Sequence, residues 1–191
     1  MIEQLVAAVF TLLPTNSLAE IRHSPPGLTV DLQYTSSNNI TGEPLYPKNS
    51  KALGDKRLIA ALKQAEAILE AQGYGITILD AWRPKEATRK LWNKAVELGL
   101  TNYYAPPQIG SSHNLGAAVD IGLHSLKEPQ KLLDMPMKFD QTDARLRNNS
   151  PEAKKNESIL TSAMLAAGFI RHPLECWHFS YPPCEKPKLQ P

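Results

Sequence analysis

The sequence is poor in the features that would place it at a glance. Only two cysteines occur in 191 residues, Cys176 and Cys184, so at most one disulfide can form. Either they pair in an oxidising compartment and pin the segment around His178, or Cys176 is a buried free thiol and Cys184 an incidental one. Spacing leaves both open, because pairing is a matter of geometry. A zinc-thiolate role for Cys176 is not expected. Basic clusters are also missing: the formal net charge is +2, and Lys154-Lys155 is the longest basic pair outside the tail. A dedicated nucleic-acid binder would carry a basic stripe or patch, so that class is set aside.

No internal repeat and no linker interrupts the chain, whose length is that of one domain. At 42% hydrophobic and 21% charged residues, it has the composition of an ordinary globular protein. Long apolar runs are absent as well. Leu5 to Leu13 is apolar but is broken by Pro14-Thr15-Asn16, well short of the about 20 residues that cross a bilayer. No membrane span is expected. Ser17 and Ala19 place small residues at the minus-three and minus-one positions of a cleavage after Ala19, the pattern of a secretory signal over residues 1–19. Its amino-terminal region departs from that pattern, with Glu3 and no Lys or Arg. The expectation is a mature chain over 20–191, periplasmic or secreted. The alternative is a cytoplasmic protein with a frayed or amphipathic leading segment.

What is present is helical periodicity, short β-branched runs and one glycine-flanked motif. Leu58, Leu62, Ala65 and Leu69 recur at helical spacing after a capping Asp55 and before Gly73, which predicts a helix. Ile76 to Ala81 reads as a strand, and Trp82-Arg83-Pro84 leads into a second helix that stops at Gly99. Ser150-Pro151-Glu152 opens a third helix, closed by Gly168. Leu28 to Leu32, Val119 to Leu123, Phe169-Ile170 and Trp177 to Phe179 read as strands. Residues 125–149 and the tail after Tyr181 read as irregular. Helices interleaved with short strands and long loops predict a single α+β domain: a small, mostly antiparallel sheet with helices packed on it and a metal-site cleft.

The motif Gly110-Ser111-Ser112-His113-Asn114-Leu115-Gly116-Ala117-Ala118-Val119-Asp120 sets a histidine and a carboxylate on either side of a glycine turn. A carboxylate in a buried strand is costly unless paired or bound to metal. Near the C-terminus, Glu175-Cys176-Trp177-His178 offers a second histidine with a glutamate three residues before it. A catalytic zinc takes three protein ligands and keeps a fourth position for water, lowering that water's pKa toward about 7. His113, Asp120 and His178 meet that count. Glu175 then becomes the general base. Arg83, at a strand-to-helix junction, becomes the group that neutralises the oxyanion of a peptide's tetrahedral intermediate. His23, His124 and His172 are assigned to ordinary core or surface positions.

Ser111-x-His113-x-x-Gly116-x-Ala118-x-Asp120 with Glu175-x-x-His178 resembles the signature of the zinc D-alanyl-D-alanine dipeptidases of the vancomycin-resistance type. These belong to a wider group of D,D- and L,D-carboxypeptidases. Asp31-Leu32-Gln33-Tyr34, Asn39-Ile40-Thr41-Gly42 and Asp80-Ala81-Trp82-Arg83-Pro84 also resemble that family, so the likeness runs from about Thr29 to Tyr181. It implies one zinc per chain on His113, Asp120 and His178, with Glu175 as base and Arg83 as transition-state stabiliser. Tyr34, Ser111 and Asp140 would line the pocket for the amino end of a small dipeptide substrate. A buried carboxylate is a natural partner for a free ammonium, which suits Asp140 to that place. The chain departs from the family at Cys176, Trp82 and Met135-Pro136-Met137. The alternatives are a carboxypeptidase acting on peptidoglycan stem peptides and a non-catalytic zinc-containing wall-binding module. The module would need neither Glu175 nor Arg83.

Overall fold

The computed structural model describes residues 18–184. The apolar run of the expected signal segment lies outside them, as does the tail from residue 185. Eight strands and three α-helices make up the described part. They are β1 (Leu18–Glu20), β2 (Leu28–Val30), β3 (Leu53–Asp55), α1 (Lys56–Glu70), β4 (Tyr74–Asp80) and α2 (Lys85–Leu98), then β5 (Ala118–Ser125), β6 (Glu128–Leu132), α3 (Pro151–Ala166), β7 (Ile170–Arg171) and β8 (His178–Ser180). The expected cleavage point after Ala19 falls inside β1, which pairs antiparallel with β3.

Two of the three helices start at a side-chain cap. The Asp55 carboxylate accepts the Arg57 N–H at 2.8 Å, and the Ser150 hydroxyl accepts the Ala153 N–H at 3.1 Å with Pro151 in the first turn. Pro84 precedes α2 as its N-cap and does not enter the first turn. From α1, Leu58, Ala61, Leu62, Ala65 and Leu69 are buried, a stripe at three- and four-residue spacing that faces the sheet and α3.

The main sheet runs β2-β4-β5-β8-β7, with β6 paired to β5. The β2–β4 pair is parallel and the others are antiparallel. β4 and β5 are buried almost along their whole length, the central position that β-branched and leucine-rich runs favour. Register is what positions chemistry here. Asp80 lies opposite Asp120, and Asp120 lies opposite His178, so three polar residues from distant segments form one row at the end of the sheet.

Two corrections concern short strands. β6 falls in a stretch expected to be irregular; its Glu-Pro-Gln-Lys-Leu sequence is mostly exposed and has no alternation to betray it. β1 and β3, three residues each, carry no periodicity either. The cysteines are both free and buried. Cys176 packs with Met137 and Trp177, its thiol donating to the Met137 carbonyl at 3.4 Å, while Cys184 belongs to the main core. Of the two readings left open by spacing, the structure takes the unpaired one.

Candidate active site

His113 sits in a 3-10 turn, Ser112–Leu115, whose start is closed by reciprocal capping. The Ser111 hydroxyl accepts the His113 N–H at 3.3 Å, and the Asn114 side chain accepts the Ser111 N–H at 2.8 Å. Asn114 also donates to the Arg83 carbonyl and the Thr88 hydroxyl, both at 2.8 Å, which ties this turn to the start of α2. The turn ends at Gly116 with φ +66°. A side chain there would strike Leu18 and come within 3.0 Å of the Asp55 backbone nitrogen, so only glycine fits.

The imidazole of His113 donates from Nδ1 to the Ala81 carbonyl at 2.7 Å. That bond fixes the tautomer and leaves Nε2 as the lone-pair nitrogen. Nε2 lies 3.1 Å from His178 Nδ1 and 3.4 Å from Asp120 Oδ1, and His178 Nδ1 lies 2.9 Å from the same oxygen. Ligands of a tetrahedral ion bound at 2.0–2.1 Å stand about 3.3 Å apart, so these three atoms have the spacing of a coordination set. Their chemistry agrees, since two ring nitrogens and a carboxylate oxygen are converging acceptors that a single divalent cation satisfies together. Burial alone would raise the Asp120 carboxyl, but the neighbouring His113 and His178 outweigh it and hold that carboxyl well below the usual range. Burial lowers His178, keeping it neutral and fit to coordinate.

Arg83 is buried beside this set. Its Nε and Nη2 donate to Asp80 Oδ2 at 3.0 and 2.7 Å, Nη2 stands 3.6 Å from Asp120 Oδ2, and its guanidinium lies 5.1 Å from the centre of the Tyr34 ring. The Tyr46 hydroxyl donates to the other Asp80 oxygen at 2.8 Å. Asp80 thus holds the arginine fork rigid, and Nη1 carries none of these bonds. Despite the burial that opposes it, the charge of Asp80 keeps the guanidinium protonated.

Glu175 Oε2 lies 3.9 Å from His178 Nδ1. Burial, then the charge of Asp120, push this carboxyl up to about 8. His172, assigned to an ordinary position from sequence, belongs here instead. Its ring is 5.6 Å from that of His178, its Nδ1 is 3.8 Å from Glu175 Oε2, and that nitrogen is buried without a hydrogen-bond partner. What brings it there is the pairing of β7 with β8, which continues as the His172 N–H bonding to the His178 carbonyl at 3.0 Å; no sequence signal marked it.

Asp140 adopts φ +60°, the one non-glycine residue with positive φ among those described. Its Oδ1 accepts from the Tyr34 hydroxyl at 3.2 Å and the Tyr104 hydroxyl at 2.8 Å, and its Oδ2 accepts the Ile40 N–H at 3.1 Å. Burial raises this carboxyl, and the three donors oppose the rise. Ser111 is at the same cavity, with its hydroxyl committed to the turn that carries His113. All eight residues singled out from sequence line one cavity of about 720 Å³. Sequence reasoning quoted Asp80 and Asn114 within its motifs without giving them a role, set His172 aside, and missed Tyr46 and Tyr104.

A buried His–Asp–His set with a carboxylic acid and a fixed arginine beside it, all open to one cavity, is the arrangement of a mononuclear metallohydrolase. The chain matches the D-ala-D-ala dipeptidase family, peptidase M15, over residues 14–187. It is 31% identical over 172 residues to the D-alanyl-D-alanine dipeptidase of Escherichia coli K12, covering 88% of this chain and 86% of that one. It is also 31% identical over 183 residues to the D-alanyl-D-alanine dipeptidase of Enterococcus faecium, covering 85% and 88%. Among solved structures, the LdcB LD-carboxypeptidase superposes with a TM-score of 0.51 over 88% of this chain and 71% of that one. At 18% identity this likeness speaks for the fold. The protein belongs to the D-ala-D-ala dipeptidase family of M15 peptidases and is a hydrolytic peptidase.

Proposed function

We propose that the protein hydrolyses D-alanyl-D-alanine to two D-alanines at a zinc ion held by His113, Asp120 and His178. One observation carries this reading: the converging ligand set, Glu175, Arg83 and Asp140 all face one cavity. Zinc, when bound, polarises the scissile carbonyl and acidifies the attacking water. Glu175 takes the proton of that water as it adds to the carbonyl carbon and returns it to the leaving amine nitrogen as the C–N bond breaks. A cation at the ligand set offsets the Asp120 charge that helps raise Glu175, and so favours the carboxylate form a base requires. Arg83, with Nε and Nη2 tied to Asp80, meets the oxyanion through a fork that is already in place. Asp140 pairs with the substrate's ammonium, and Tyr34 and Ser111 complete that end of the pocket.

The same reading places the protein outside the cytoplasm, exported by the segment over residues 1–19. What supports this is the apolar Leu5 to Leu13 run and the small residues before position 20. No helix among the described residues is long and apolar enough to cross a membrane.

One observation favours a second reading, cleavage of longer stem peptides. The cavity of about 720 Å³ is in the range that encloses drug-sized molecules, more than a dipeptide fills. The test is release of D-alanine by purified, zinc-loaded protein from the free dipeptide and from a pentapeptide ending in D-Ala-D-Ala. Preference for the dipeptide is expected. Preference for the pentapeptide would replace the first reading with the second, and no metal-dependent release from either would remove both.

A further inference from the structure

Asp140 is held by more donors than a surface carboxylate needs. A carboxylate offers about four lone-pair sites, and three are taken by Tyr34, Tyr104 and the Ile40 N–H. Each donor comes from a different stretch: the 3-10 turn Gln33–Thr35, the segment just after the turn Thr101–Tyr103, and the loop around residue 40. Tyr104 makes the shorter of the two tyrosine bonds, 2.8 Å against 3.2 Å. It also lines the cavity, and nothing ties it to the His–Asp–His set. Tyr34 has a packing role besides its bond, being fully buried against Tyr46 and Phe139. Tyr104 is only half-buried, packed at the edge of the same cluster, and its hydroxyl is given to Asp140.

We propose that Tyr104 is the positioning residue that sets selectivity for a free amino terminus, by holding the Asp140 carboxylate aimed so that its one remaining lone pair meets a primary ammonium. The proposal rests on the reading of Asp140 as the ammonium's partner. A single remaining acceptor site, fixed from three sides, suits one N–H of an ammonium. A substrate without that group leaves the buried carboxylate unmatched, and so is rejected. The Tyr104 hydroxyl is given to Asp140, so its removal should weaken capture of the dipeptide more than it slows the bond-breaking step.

The experiment compares D-alanyl-D-alanine with N-propionyl-D-alanine, which has hydrogen in place of the ammonium, on zinc-loaded wild type, Tyr104→Phe, Asp140→Asn and the double variant. Wild type is expected to favour the dipeptide strongly. Tyr104→Phe is expected to raise KM for the dipeptide about tenfold, the loss of one hydrogen bond to a charged group, with kcat held within about twofold. Its kcat/KM for N-propionyl-D-alanine should not change. In the Asp140→Asn background the Tyr104→Phe change should add nothing. Equal losses on both substrates, as a misfolded variant would give, overturn the proposal; so does a loss confined to kcat, or additivity in the double variant. Wild type that takes both substrates equally well would instead defeat the Asp140 reading, whatever Tyr104 does.

Discussion

Asp120 and His124 stand four residues apart on the same strand, both buried, at 3% and 0% exposure, and their surroundings could hardly differ more. His124 is closed in a chain of neutral partners. The Thr29 hydroxyl donates to that of Thr77 at 2.9 Å, the Thr77 hydroxyl meets His124 Nδ1 at 2.9 Å, and His124 Nε2 reaches the Pro26 carbonyl at 2.7 Å. Donor follows acceptor without surplus, and the histidine is a satisfied piece of core. Asp120 instead meets two imidazoles and an arginine at the wall of a cavity. Burial of a polar side chain is common to both positions and so marks neither as functional. What separates them is that at Asp120 two ring nitrogens and a carboxylate oxygen converge on one point, whereas around His124 each acceptor has a donor of its own.

The hardest test of the Asp120 end is Glu175→Ala. Turnover should fall about 10³-fold while zinc content by atomic absorption stays at one per chain. Near-normal turnover would take Glu175 out of the reaction. Next in size is the metal itself. Zinc added to chelated protein at a thousandfold excess over its Kd should stabilise it by about 4 kcal/mol, read as a rise in Tm. Asp120→Asn should abolish that rise and His124→Gln should keep it. If both variants bind zinc alike, the contrast between the two ends of the strand is wrong.

Asp80→Asn probes the row of cross-strand partners. Arg83 and Tyr46 both donate to this fully buried carboxylate, and removing one partner of a buried ion pair costs about 3 kcal/mol. Denaturant titration should show that loss, and kcat should fall with it because the arginine fork is released. An unchanged midpoint would mean that Arg83 is held by something else.

The smallest effect belongs to His124. Burial lowers its pKa from the usual 6.5, against the pull of the Pro26 carbonyl. The unfolded chain therefore binds a proton that the folded one refuses, so stability is full above about 6.5 and declines as pH falls through the window below it. His124→Gln should flatten that acid-side slope, which for one group cannot exceed about 1.4 kcal/mol per pH unit. A slope unaltered by the substitution would assign the acid sensitivity to other groups.

Much of the fold was legible in advance because its signals are local. Caps at Asp55 and Ser150, glycines after the helices and the apolar run of β4 all act within a few residues of themselves. Strands β1, β3 and β6 escaped because three residues, or an exposed edge, leave no period to detect. In the site, His113, Asp120, His178 and Glu175 stood out through motif spacing. Tyr46 and Tyr104 did not, since each gains meaning only from a partner 34 or 36 residues away; Asp80 stood beside Arg83 in the motif, but its place opposite Asp120 comes from strand register.

By itself the sequence determined the helices, the central strands and the kinds of side chain available for metal and acid–base chemistry, since all of these follow from local pattern and residue type. Tertiary structure alone decided which of those side chains meet. The β4–β5–β8 register sets Asp80, Asp120 and His178 in a row, and the loops carrying Tyr34, Tyr104 and Asp140 close on one another across the cavity. The physical reason is that strand register and loop docking are settled by burial and hydrogen-bond matching between distant segments, which no stretch of chain encodes alone.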